Sequence, residues 1–200
     1  MAAALIFSGC TEQVSIKHNA DNSISLSVKS QSSKNTAALI SSFAGDVMID
    51  SDAAEDALLA SGAENARVET SGGADFLLSA QFSGNKRDSL SPLFSESADK
   101  NHFILTLSPS TIAQFIALLP SETSEYAELL IAPVFTGDKM SASEYADTLS
   151  AVYGSAIGDE MKAAKVEFSV TSKNGIKQTL NVSLAEILAL QETKKYTFDW

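Results

Sequence analysis

The sequence predicts an α+β fold, an antiparallel sheet built from hairpins with helices packed on one face. Three observations carry this. Apolar residues recur at every second position in paired runs joined by turn residues, as in Ile24, Leu26 and Val28. Between those runs lie stretches with helical spacing and clear start signals, Ser108-Pro109 and Ser141-Ala142-Ser143-Glu144 among them. The strands neither alternate strictly with helices nor collect at one end, which argues against a doubly wound parallel sheet.

The first hairpin follows residue 10. Val14 and Ile16, then Ile24, Leu26 and Val28, alternate with Ser and Lys, and His18-Asn19-Ala20-Asp21-Asn22 supplies the turn. From Asn35 onward Ala37, Ala38, Leu39, Ile40 and Phe43 fall at helical spacing and stop at Gly45, a left-handed cap. A short second helix follows, capped by Asp52 with Glu55 three residues on, and ends at Ser61-Gly62. Ala66, Val68 and Thr70, a turn at Ser71-Gly72-Gly73, and then Phe76, Leu78, Ala80 and Phe82 make a second hairpin.

Residues 83–101 are polar and read as an exposed loop, with one helical turn near Leu90 to Phe94. A strand at Phe103-Ile104-Leu105-Thr106-Leu107 runs into Ser108-Pro109, which starts a helix with Ile112, Phe115, Ile116 and Leu119 on one stripe. Ser121 caps a short helix that carries Tyr126, Leu129 and Leu130 and stops near Pro133. The longest helix opens at the Ser141 capping box and places Tyr145, Leu149, Val152, Tyr153, Ala156 and Ile157 on its core face. The last third is β again: Val166, Phe168 and Val170, a turn at Lys173-Asn174-Gly175, a strand from Ile176 to Val182, a helical turn through Leu184 to Leu190, and a final strand. Tyr196, Phe198 and Trp200 share one face of that strand and read as core.

A chain of 200 residues with 44% hydrophobic and 20% charged content buries a core as a single domain, here residues 11–200. The net charge of −11 argues against nucleic acid as a partner, because a phosphate backbone demands clustered Lys and Arg. The single cysteine rules out a disulfide within the chain.

That cysteine is Cys10. It closes the run Leu5-Ile6-Phe7-Ser8-Gly9-Cys10, in which apolar residues give way to two small ones and then a thiol, the ending of a bacterial lipoprotein signal. A thiol there is alkylated with diacylglycerol and becomes the first residue of the mature protein. Residues 1–10 thus read as a residual signal, short and without a positive charge. Cys10 is the expected lipid attachment site, and the membrane is the expected partner through that anchor.

Other chemistry has weaker footing. His18 and His102 stand at strand ends far apart in sequence, and Asp46, Asp50 and Asp52 lack the Gly and terminal Glu of a calcium loop, so caps and turns explain them and no metal is expected. Gly154-Ser155-Ala156-Ile157-Gly158 misplaces its serine for a nucleophile elbow and lies inside the predicted helix. Ser83-Gly84-Asn85-Lys86 and Ser97-Ala98-Asp99-Lys100 match a serine–lysine spacing but lie in the polar loop without companion motifs. Glu55 and Asp56, like Asp159 and Glu160, are sequence neighbours that point to different helix faces and read as solvated surface. No cofactor is expected.

Phe7-Ser8-Gly9-Cys10, the Ser-rich hairpin with its Asp-Asn turn, Ala57-Leu58-Leu59-Ala60-Ser61-Gly62-Ala63 and Arg67-Val68-Glu69-Thr70 together resemble small envelope lipoproteins of the LppM-like type and those abundant in spirochaetes. The resemblance implies an antiparallel α+β domain close to the membrane and no catalytic residues. The expected function is therefore that of a non-catalytic, lipid-anchored protein of the bacterial cell envelope, on the inner or outer membrane, that binds a protein partner or an apolar ligand. The alternative is a structural or assembly component of the envelope with no small ligand.

Overall fold

The computed structural model of the chain describes residues 12–44, 50–71, 75–83, 93–97, 102–117 and 132–199. Two sheets share one core. In the larger, six strands lie in the order β3-β4-β2-β1-β7-β8. They are β1 (Glu12–His18), β2 (Ile24–Ser30), β3 (Asn65–Thr70), β4 (Phe76–Phe82), β7 (Lys165–Thr171) and β8 (Lys177–Ser183). The smaller sheet is β5 (Phe94–Glu96), β6 (His102–Leu107) and β9 (Lys194–Asp199), with β6 in the middle. The helices are α1 (Lys34–Ala44), α2 (Ser51–Ala60), α3 (Pro109–Ala117), α4 (Pro133–Thr136), α5 (Ala142–Tyr153), α6 (Ser155–Ala163) and α7 (Leu184–Leu188). The α+β class read from the sequence is the observed one.

Alternation dictates which way the large sheet faces. In register the strands bring Val68, Leu78, Val28, Val14, Phe168 and Leu180 into one line across all six. Side chains two residues away along each strand share that face. Ile16, Leu26, Ala80 and Val170 follow, and all are buried. They join one core with Tyr145, Leu149 and Met161 of α5 and α6, Leu184 and Leu188 of α7, and Phe103, Leu105 and Phe198 of the small sheet. The opposite face is polar: Arg67, Ser79, Ser27, Ser15, Ser169 and Thr179 form a cross-strand row of hydroxyls ending in a guanidinium.

Several sequence expectations change in detail. β1 and β7 pair in parallel, in an otherwise antiparallel sheet, because the three helices α4 to α6 return the chain to the end where β1 begins. The helix from Ser141 breaks at Gly154, whose φ of 97° and ψ of 158° lie outside helical geometry. Ser155 therefore starts α6 instead of lying inside one long helix. The polar stretch expected as a loop holds β5, where Phe94 is a buried strand residue on Leu105 and not part of a helical turn. α2 is capped by Asp50, whose side chain accepts from the Ala53 N–H at 3.0 Å, and not by Asp52. The Gly45 cap, the turn at Gly72-Gly73, the short helix after Ser121, and Trp200 lie outside the described residues.

Candidate functional site

Cys10 also lies outside the described residues, but the strand it leads into does not. β1 starts at Glu12, leaving Thr11 as the only residue between the candidate attachment site and the sheet. β1 is an interior strand, with β2 on one side and β7 on the other. The end of the sheet nearest Cys10 is therefore the end where β1, β4 and β7 begin and β2, β3 and β8 finish.

Polar residues tie this end together. Glu12 belongs by parity to the inward face, in line with Val14 and Ile16, and is fully buried. Ser30, the last residue of β2, donates its hydroxyl to Glu12 Oε1 at 2.9 Å. Burial disfavours the charged form and pushes the Glu12 carboxyl from the ordinary 4.5 up to about 8; the Ser30 hydrogen bond opposes the shift and the charge of Asp75 adds to it. Asp75, just before β4, accepts the Ser32 N–H at 2.6 Å and the Ser32 hydroxyl at 2.8 Å, fixing the link from β2 to α1.

One step further on, Glu160 of α6 gathers the start of α1. Its carboxylate accepts from Ser33 Oγ at 2.5 Å, Asn35 Nδ2 at 2.6 Å and Thr36 Oγ1 at 2.9 Å. This corrects the expectation that Glu160 is solvated surface; Asp159 beside it is exposed as expected. Glu55 is corrected likewise, since it is half-buried and accepts the Val68 N–H of β3 at 2.8 Å. A carboxylate with three donors reads in sequence like any other helical Glu, because its donors come from the start of a helix more than a hundred residues earlier.

The histidines are not brought together. His18 ends β1, about 20 Å from Glu12 at the rise of an extended strand. It is buried, with Nδ1 3.8 Å from Glu96 Oε1, and so links the two sheets. His102 Nδ1 lies 2.6 Å from Asp199 Oδ1, its cross-strand partner on β9. Among the described residues no group of three or more His, Cys, Asp or Glu is placed to hold a metal ion. Of the terminal aromatics, Phe198 is buried opposite Phe103 and Tyr196 is half-buried against the same core.

Comparisons with protein-family models, with curated proteins and with solved structures give no match.

Proposed function

We propose that this chain is a lipid-anchored protein of the bacterial cell envelope, non-catalytic, whose domain binds a protein partner close to the membrane. One observation carries the reading: a run ending in the sole cysteine stands a single residue before an interior strand of the sheet. Two residues of extended chain reach at most about 7 Å. An acyl chain on Cys10 thus sets the Glu12 end of the sheet against the headgroups, with the strand turns at Asp21 and Asn174 pointing away. The acidic balance of the chain, −11 overall, keeps the body from lying flat on anionic lipid.

A protein partner is favoured over an apolar ligand by the open face of the sheet. Its residues are Ser, Thr, Asn, Gln, Lys, Arg and Glu in register, with Leu77 the one large apolar side chain among the described positions. Such a face offers hydrogen bonds and little apolar area.

Fractionation tests the anchor. Expressed from its full gene in a bacterial host, the wild type stays with membranes through a high-salt wash and leaves them in detergent, whereas Cys10→Ser is recovered in the soluble fraction. Identical partition of the two forms contradicts the reading.

A further inference from the structure

The two edges of the six-stranded sheet are finished differently. At the β3 edge, the Ser71 N–H bonds the Asp75 carbonyl at 3.1 Å and sets the alternation of the ladder. Arg67 and Glu69 therefore bond inward to β4, and the N–H groups of Ala66, Val68 and Thr70 point outward. α2 lies along this edge, and Glu55 takes the Val68 N–H.

At the β8 edge the Ser172 N–H bonds the Ile176 carbonyl at 2.9 Å and sets the same rhythm. Gln178, Leu180 and Val182 bond to β7, so the N–H and C=O groups of Lys177, Thr179 and Asn181 point outward. These three residues are exposed, and β8 pairs with β7 alone. Among the described residues no helix, strand or side chain hydrogen-bonds those outward groups. The strand runs seven residues without proline. Among the described residues it carries none of the devices that blunt an edge beyond a single lysine, and the end of β9 reaches it only through the Gln178 side-chain amide, which donates to the Asp199 carbonyl and leaves the outward backbone groups alone.

We infer that β8 is where an extended segment of a partner protein adds a seventh strand, with a carboxylate side chain set against Lys177. The inference rests on the reading of the chain as an anchored, partner-binding domain. On the inward side of this edge Leu180 is only half-buried, so the added strand places an apolar side chain over it. On the polar side Lys177 and Lys165 stand at the two ends, with Glu167 one strand in, opposite Asn181. Positive charge at both ends selects an acidic segment.

A second copy fits poorly. Antiparallel pairing of β8 with itself keeps the faces matched but sends the two β1 strands in opposite directions. The two Cys10 residues then sit at opposite ends of a twelve-stranded sheet and cannot enter one bilayer. Parallel pairing aligns the anchors but sets the polar face of one copy in line with the apolar face of the other.

The test uses the full chain carrying Cys10→Ser and a synthetic peptide of alternating Thr and Val with Glu at both ends, with amide exchange read by NMR. The peptide slows exchange of the Lys177, Thr179 and Asn181 amides by about tenfold or more, the protection expected of newly paired strand amides, and leaves Ala66 and Thr70 unchanged. Thr179→Pro removes one outward N–H and no bond to β7, so the variant keeps its exchange pattern elsewhere and loses the peptide effect. Lys177→Glu weakens binding, and a peptide ending in Lys restores it. Absence of slowing at β8 with a folded Thr179→Pro control overturns the inference. A dimer in sedimentation without peptide, abolished by Thr179→Pro, also overturns it and gives the edge to a second copy. Membrane association plays no part in these readouts, so their failure is distinguishable from failure of the anchor.

Discussion

Ser30 Oγ donates to Glu12 Oε1 at 2.9 Å inside the core, so the first residue of a central strand is a buried acid held by a hydroxyl from the next strand. The pair sits at the end of the sheet where β1 begins, the end that the proposed anchor on Cys10 sets toward the membrane.

The linkage has a definite sign. Between the ordinary 4.5 and about 8 the folded chain keeps a proton on Glu12 that the unfolded chain has released. The contribution of Glu12 to stability therefore falls as pH rises through that window and is level above it. Glu12→Gln keeps the size and the acceptor for Ser30 and removes the proton. The stability of Glu12→Gln relative to wild type is expected to grow by up to about 1.4 kcal/mol per pH unit across the window. Denaturant unfolding of both proteins between acid and mildly alkaline pH checks this; a constant difference contradicts it.

Glu160→Ala removes the acceptor shared by Ser33, Asn35 and Thr36. Because the site is partly open to water, the expected loss is about 1–2 kcal/mol, below what three buried charged hydrogen bonds contribute. Amide exchange then quickens in α1 and leaves β7 unaffected. Equal quickening across both elements contradicts a local clamp.

Gly158→Ala probes the contact of α6 with α5. A Cβ there lies 2.5 Å from Ser150 Cβ and 2.9 Å from the Ala146 carbonyl oxygen, both on the neighbouring helix. Overpacking of this kind costs about 1–3 kcal/mol. The thermal midpoint should fall accordingly, and Gly158→Ala combined with Ser150→Gly should recover part of it.

The large sheet was legible because its alternation is nearly unbroken. Val14 to Ile16, Ile24 to Val28, Phe76 to Phe82 and Val166 to Val170 all appear as strands with those residues inward. Asn174-Gly175 and Ser141 to Glu144 likewise mark the turn and the helix start that the structure contains. β5 was hidden because three residues are too few for a period, and it exists as a strand through its pairing with β6 and not through local preference. At the candidate site, the parity that puts Glu12 beside Val14 was readable, but its significance was not: an acid at a strand start looks exposed until the neighbouring strands are known. Glu55 and Glu160 were misread as surface for the same reason, since both act on segments distant in sequence.

The most direct test is the mass of the N-terminal peptide of the native protein, purified from the cells that make it. The account predicts a chain that begins at Cys10 and carries diacylglycerol on the sulfur, with nothing of residues 1–9 attached. A peptide that retains Met1 and a bare Cys10 thiol contradicts it.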